Sequence, residues 1–336
     1  MIHFPQSIYI TAFLAAMVAS YVSLPFWRAF CVRRGVVDDP GHRKIHAEPI
    51  PLAGGLAVLT GLVAPLVLAY LVAKLRLFGT EDAIKLSFGF STRSSELIAI
   101  ITGALGMVYL GWLDDEHELR PSTKFVGQVL IAMMVAVSGV RIQLVPYLIF
   151  VYPATVLWIL TVTNAMNFMD NMNGLCGGLS VVCAACFGFI AAKTGMYLVA
   201  AIAFLVAGAG LGFLPHNFPR AKAFLGDSGS HLLGFLLAVL AILPNFPAEV
   251  FPRYWTVLIP LLVLAVPLGD LVWVVLLRWR RGQPFYMGDT NHLSHRLERR
   301  GFSRAKAVIL IWLIALFTGI LALFYTIWLP SFTAGN

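Results

Sequence analysis

Ten long apolar runs follow one another through this chain, at about residues 8–27, 52–73, 95–113, 125–140, 146–163, 175–192, 196–214, 229–244, 254–277 and 307–329. About 20 apolar residues in a helix cross the hydrocarbon core of a bilayer, and backbone in lipid must satisfy its own polar groups. Runs of this length therefore predict spanning α-helices. Composition agrees, since 59% of the 336 residues are hydrophobic and 12% charged, more apolar surface than a water-soluble domain needs to bury. The expectation is an all-α fold: a polytopic integral membrane helical bundle of about 10 or 11 transmembrane helices, one membrane domain over residues 1–336. The first run lacks a small-residue cleavage site and reads as a spanning helix rather than a removed signal.

The formal net charge of +8 raises nucleic acid as a partner, but the distribution of charge argues against it. If the spans alternate, loops 28–51, 114–124, 164–174, 215–228 and 278–306 share one side and carry 17 of the 24 lysines and arginines. The positive-inside rule places these loops in the cytoplasm and both termini outside. The basic excess is then topological, with a secondary use in attracting anionic lipid or phosphate. The outer connection 74–95 runs against the trend, with Lys74, Arg76, Lys85 and Arg93. Six of the eight histidines also fall in the cytoplasmic loops, leaving His3 and His231 as exceptions. Cys176, Cys183 and Cys186 lie in or beside one apolar run and Cys31 at a helix end, which suits buried small side chains better than a redox or metal site.

Four polar clusters interrupt the apolar pattern on that one side. In Gly111-Trp112-Leu113-Asp114-Asp115-Glu116-His117-Glu118, carboxylates crowd the mouth of a helix in a chain with only 16 acids. Neighbouring aspartates repel unless solvent, a cation or a metal compensates, so a divalent-cation site competes with a solvated acidic loop. In the segment 164–174, Asn164, Asn167 and Asn171 share a helix face, with Asp170 beside them and Asn173 following. That set suits a sugar, a base edge or a metal's water shell; amide caps ending a helix are the alternative. In the segment 216–229, Gly226-Asp227-Ser228-Gly229 puts Asp227 near the start of a helix, where free backbone N–H groups favour an anion; a plain helix cap is the alternative. Phe224 suits stacking on a nucleobase or burial in core or lipid, and Arg220 and Lys222 fit the positive-inside pattern or a nearby phosphate. In the segment 284–297, His292 and His295 at i, i+3 with Arg296 form a surface suited to phosphate oxygens, and no Cys or HExxH context favours zinc. Asp270 lies inside an apolar run, as either a functional acid or a hydrogen-bonded structural one.

Taken together, these segments resemble the polyprenyl-phosphate N-acetylhexosamine-1-phosphate transferases, glycosyltransferase family 4. The resemblance runs from about residue 30 to 300, through Val37-Asp38-Asp39-Pro40, Arg43-Lys44-Ile45-His46, Pro51-Leu52-Ala53-Gly54-Gly55, the Asp pair with Lys124, the Asn-rich motif, Phe224-Leu225-Gly226-Asp227-Ser228-Gly229 and the His loop. It implies transfer of a sugar-1-phosphate, most like GlcNAc-1-phosphate, from a UDP-sugar donor to a polyprenyl (undecaprenyl) phosphate acceptor, with UMP released. It further implies Mg2+, with Mn2+ as a substitute, and a multi-pass protein of the inner (plasma) membrane whose active site faces the cytoplasm.

Carried over by residue, the resemblance makes Asp114 and Asp115 the active-site pair and Asp227 the chief metal ligand, with the pair assisting. It makes Asp170 and the amides Asn164, Asn167 and Asn173 donor-recognising groups. Asn217 and Phe224 become uridine contacts, Lys124 a phosphate-facing cation, and His292, His295 and Arg296 sugar-nucleotide contacts. The Arg-Lys-x-His form of the first loop looks like the GlcNAc branch rather than the phospho-MurNAc-pentapeptide branch. The chain departs from the family pattern at Asn171, Asn173, Glu118 and Ser294; Glu118 keeps a carboxylate, and the changes at Asn173 and Ser294 keep a catalytically weakened scaffold as an alternative. A cation transporter is the rival of another class, but it predicts polar residues near the membrane midplane rather than on one face. Direct attack by the lipid phosphate is expected over a covalent intermediate on Asp114 or Asp115, and a homodimer is left open.

Overall fold

Each of the ten apolar runs forms helix over most of its described length. The computed structural model describes residues 5–38, 48–74, 93–142, 147–244, 256–284 and 290–333. The helices are α1 (Gln6–Arg34), α2 (Gly54–Lys74), α3 (Ser94–His117), α4 (Pro121–Val137), α5 (Leu148–Phe168), α6 (Leu175–Lys193), α7 (Tyr197–Phe213), α8 (Gly226–Ile242), α9 (Leu258–Val263), α10 (Ala265–Arg280), α11 (Leu293–Arg299) and α12 (Arg304–Thr333). The chain is an all-α, multi-pass membrane protein.

Among the described residues, seven helices are long and apolar enough to cross a bilayer: α1, α2, α3, α5, α6, α7 with its following turn, and α12. Helices α4 and α8 are apolar but 17 residues long. The run over 254–277 breaks at Leu264 into α9 and α10, for a reason the sequence contains. Pro267 has no N–H to give the carbonyl of Val263, its i−4 partner. That carbonyl instead accepts the thiol of Cys183, 3.3 Å away. All four cysteines are free and buried, as small apolar side chains would be.

Helices α6 and α8 lie inside the bundle, and α8 packs against α3 and α5 while α6 packs against α7 and α12. The outer helices turn large apolar side chains outward, among them Leu130 at 66% exposure and Ile149 at 75%, the surface a lipid environment favours.

One small piece of extended chain positions the site. Strand β1 (Val37–Asp38) pairs antiparallel with β2 (Ile50–Pro51), Val37 opposite Pro51. The chain after β2 continues as a ladder onto the loop before α8. Phe224 N–H donates to the Pro51 carbonyl at 3.0 Å, and the N–H groups of Gly54 and Gly55 donate to the carbonyls of Phe224 and Leu225 at 2.9 and 3.0 Å. The Pro51–Gly55 motif thus fixes the loop that delivers Asp227. Asp39, Pro40 and the Arg43-Lys44-Ile45-His46 motif lie outside the described residues.

Candidate active site

Asp114 and Asp115 occupy the last turn of α3, where free carbonyls make the local field unfavourable for acids. Each finds compensation from another element. Asp115 accepts the backbone N–H of Asp227 at 2.7 Å and that of Ser228 at 3.1 Å, capping α8 from a different helix. The approach is close enough that a Cβ on Gly111 would lie 2.4 Å from the Asp227 carbonyl oxygen and the Ser228 nitrogen. Gly226, which turns the chain into α8 with φ 72°, faces Asp115 directly.

Asp114 points into the cleft. Its Oδ1 accepts the Leu119 N–H at 2.8 Å, as the chain leaves α3 through Glu118 with φ 47°. Pro121 then starts α4, and its first turn swings Lys124 back over the acids. The Lys124 ammonium stands 2.8 Å from Asp114 Oδ2 and also donates to Asp227 Oδ2. Asn167, at the end of α5, donates to Asp227 Oδ1 at 2.8 Å and to Ser230 Oγ at 2.9 Å.

Asp114, Asp115, Lys124, Asn167 and Asp227, drawn from four helices, therefore form one hydrogen-bonded set. Asp170, half-buried just past α5, lies within electrostatic reach of it. Burial, followed by the Asp227 and Asp115 carboxylates, pushes the Asp170 carboxyl up to about 8.

The His loop adjoins this set through the last turn of α5. Asn167 faces the acids, while the next residue, Phe168, meets the His292 ring edge-on at 5.7 Å. His292 Nδ1 lies 2.6 Å from Asp270 Oδ2. His295 approaches Glu298 at 3.5 Å, and burial holds its imidazole below the usual range. The Arg296 guanidinium lies over the Trp273 ring, 4.4 Å from its centroid.

The remaining amides hold the surrounding loops. Asn164 sits deeper in α5 and donates to Gln128 Oε1 and the Leu160 carbonyl, both at 2.8 Å. Asn217 is buried, accepting the Gly174 N–H at 2.5 Å and donating to the Ala223 carbonyl at 2.9 Å. Asn173 donates to the Pro219 carbonyl at 3.3 Å, so loop 217–224 and the Asn-rich turn are stitched together with half-buried Phe224 beyond them. Two departures from the family pattern touch each other, since Ser294 Oγ donates to Asn171 Oδ1 at 2.6 Å.

Ser230 and His231 also belong to this neighbourhood, and sequence reasoning passed over them. His231 Nδ1 lies 2.6 Å from the Asp227 carbonyl, and Ser230 shares the Asn167 amide. Their spacing of i+3 and i+4 from Asp227 was the available signal.

Two carboxylates, of Asp114 and Asp227, face one ammonium, of Lys124, leaving one formal negative charge in a partly dehydrated site, with the Asp115 carboxyl alongside on backbone N–H groups. Hard oxygen donors with that residual charge fit a divalent cation such as Mg2+ or Mn2+. Among the described residues no three His, Cys, Asp or Glu side chains are grouped to enclose a metal. Such an ion would be held by Asp227 and Asp114 and take its other ligands from water and substrate.

The fold and site together define a multi-pass membrane protein with an acidic cluster bridged by a lysine and adjoined, through the last turn of α5, by a histidine-bearing segment. The family described as Glycosyl transferase family 4 matches residues 97–245. A Bacillus subtilis (strain 168) protein named probable undecaprenyl-phosphate N-acetylglucosaminyl 1-phosphate transferase is 32% identical over 335 residues, covering 96% of this chain and 87% of its own length. A decaprenyl-phosphate N-acetylglucosaminephosphotransferase from Mycolicibacterium smegmatis (strain ATCC 700084 / mc(2)155) is 32% identical, covering 89% of this chain and 78% of its own. The Escherichia coli (strain K12) undecaprenyl-phosphate alpha-N-acetylglucosaminyl 1-phosphate transferase is 28% identical, covering 91% and 80%. This chain belongs to glycosyl transferase family 4.

Proposed function

We propose that the protein transfers GlcNAc-1-phosphate from UDP-GlcNAc to undecaprenyl phosphate, giving undecaprenyl-diphosphate-GlcNAc and UMP. The observation carrying this reading is the bridging of Asp114 and Asp227 by Lys124, two acids brought from separate helices to one cation-binding point. The relatives named for this transfer cover nearly the whole chain and support the same assignment. Ten spans with both termini outside would put this cleft at the cytoplasmic face of the inner membrane, where a UDP-sugar in water meets a lipid phosphate in the leaflet.

Both substrates are anions, so the residues' first task is to let them approach. Lys124 faces one phosphate, and His292, His295 and Arg296 close on the donor from the other side. Asn167 orients Asp227, and Asp115 holds the first turn of α8 so that Asp227 stays aimed into the cleft. Asp170 and Asn173, with the loop that Asn217 fixes, border the nucleoside, and Phe224 stacks on the uracil ring. Asn164, one turn before Asn167, ties α5 to Gln128 of α4. Mg2+, when bound at Asp227 and Asp114, supplies charge neutralisation on the diphosphate.

An oxygen of the lipid phosphate attacks the β-phosphorus of the donor. The bond from that phosphorus to the bridging oxygen breaks, and UMP leaves with the electron pair. Direct attack suits the site, because both oxygens of Asp115 accept backbone N–H groups and those of Asp114 are held by Leu119 N–H and Lys124. A phospho-sugar adduct trapped on Asp114 or Asp115 without acceptor lipid would overturn that route.

A panel of UDP-N-acetylhexosamines offered to the purified protein with undecaprenyl phosphate and Mg2+ tests the assignment. UMP release with UDP-GlcNAc supports it. Preference for UDP-MurNAc-pentapeptide assigns the other branch, and nucleotide binding without turnover assigns a scaffold.

A further inference from the structure

Asp270 has no part in the reaction above, yet it is a 5% exposed acid in the apolar helix α10. Buried carboxylates need donors, and both of its oxygens receive them from the start of α11. Oδ2 lies 2.6 Å from His292 Nδ1, and Oδ1 accepts the Leu293 N–H at 2.6 Å. The next residue is held too, by the Ser294–Asn171 hydrogen bond. Phe168 walls the His292 ring, and the Arg278 guanidinium lies 5.0 Å from the centroid of Phe168 on its own account.

A carboxylate only accepts, so Nδ1 of His292 carries a proton and Nε2 is left for another partner. Among the described residues no hydrogen bond falls on Nε2. With a carboxylate on one ring nitrogen and a phosphate oxygen on the other, the imidazolium satisfies both by donating twice. We propose that Asp270 is a positioning residue of the transfer: it fixes the plane and the proton of His292 so that Nε2 donates to a phosphate oxygen of the nucleoside diphosphate-sugar. This rests on the transferase reading.

The test is a double-mutant cycle on donor binding, using full-length protein in detergent with Mg2+ and UDP-GlcNAc titrated calorimetrically. Asp270→Asn should weaken donor affinity about 10-fold, the loss typical when an orienting partner is removed, with KM rising in step and kcat changing less. Asp270→Glu should restore part of the affinity, and the melting temperature should stay close to wild type. In a His292→Ala background, Asp270→Asn should add almost nothing. An equal loss in both backgrounds, or full affinity in Asp270→Asn, overturns the inference while leaving the transferase reading intact. Failure of the wild type to bind any UDP-sugar removes the transferase reading and this inference with it.

Discussion

Asp115 accepts the backbone N–H of Asp227 at 2.7 Å, tying the end of α3 to the start of α8 across 112 positions of sequence. The acid pair is therefore divided in work: Asp114 faces the cleft, and Asp115 holds the helix that presents Asp227.

That division predicts unequal effects. Asp115→Asn keeps one acceptor oxygen, so kcat should fall about 10- to 100-fold while UDP-GlcNAc affinity changes little. Asp227→Asn should nearly abolish turnover. Initial rates of UMP release, with KM measured alongside, distinguish the two; equal losses would contradict the division.

Lys124 bridges Asp114 and Asp227, so removing its charge should have effects of opposite sign on chemistry and on cation binding. Lys124→Met should lower kcat about 100- to 1,000-fold, as loss of one preorganised electrostatic contact does. The same variant should bind Mn2+ more tightly, because the competing ammonium is gone. Electron paramagnetic resonance titration of Mn2+ measures this without turnover, and weaker binding would contradict the arrangement.

Much of this site was legible because its residue types are rare elsewhere in the chain. An Asp pair, an Asn-rich turn and a Gly-Asp-Ser-Gly segment stand out against apolar helices, and their shared loop side followed from the distribution of Lys and Arg. Pairings between helices were not legible. Nothing local tells Asp115 from Asp114, since each role depends on which backbone meets which carboxylate. The same holds for Asn164 and Asn217, whose amides bond to Gln128 and Gly174 in other elements. The break at Leu264 was not expected, since 254–277 read as one apolar run; Pro267 accounts for it locally, but the thiol of Cys183, 80 residues away, could only be found in three dimensions.

Asp170 gives a pH signature. Its carboxyl is raised from 3.8 to about 8, so the folded state holds a proton that the unfolded state releases over that interval. Its favourable contribution is complete below the lower value and is lost as pH rises through the upper one. The melting temperature of ligand-free protein should therefore decline from about pH 4 to pH 8 more steeply in wild type than in Asp170→Asn. Identical slopes would contradict the assignment.

Gly111 allows α3 to touch the first turn of α8, with space for no Cβ. Gly111→Ala should destabilise the protein by about 1–3 kcal/mol through overpacking, and should lower UMP release by displacing Asp227. Thermal unfolding in detergent reads the first effect and steady-state kinetics the second.

Phe224 emerges from the ladder built on Pro51 and Gly54, beside the loop that Asn217 holds. Phe224→Ala should raise the KM for UDP-GlcNAc about 10-fold or more, the loss of roughly one base-stacking contact, with a small change in kcat. A large fall in kcat at unchanged KM would place this ring elsewhere in the reaction.

The most direct measurement is UMP release from labelled UDP-GlcNAc by purified protein given undecaprenyl phosphate and Mg2+, with Asp227→Asn run in parallel. Stoichiometric appearance of UMP and lipid-linked GlcNAc-1-phosphate in wild type, nearly absent in Asp227→Asn, is the predicted result. Equal turnover in the two proteins, or none in wild type with any UDP-N-acetylhexosamine, would contradict an active cleft built on Asp114, Lys124 and Asp227.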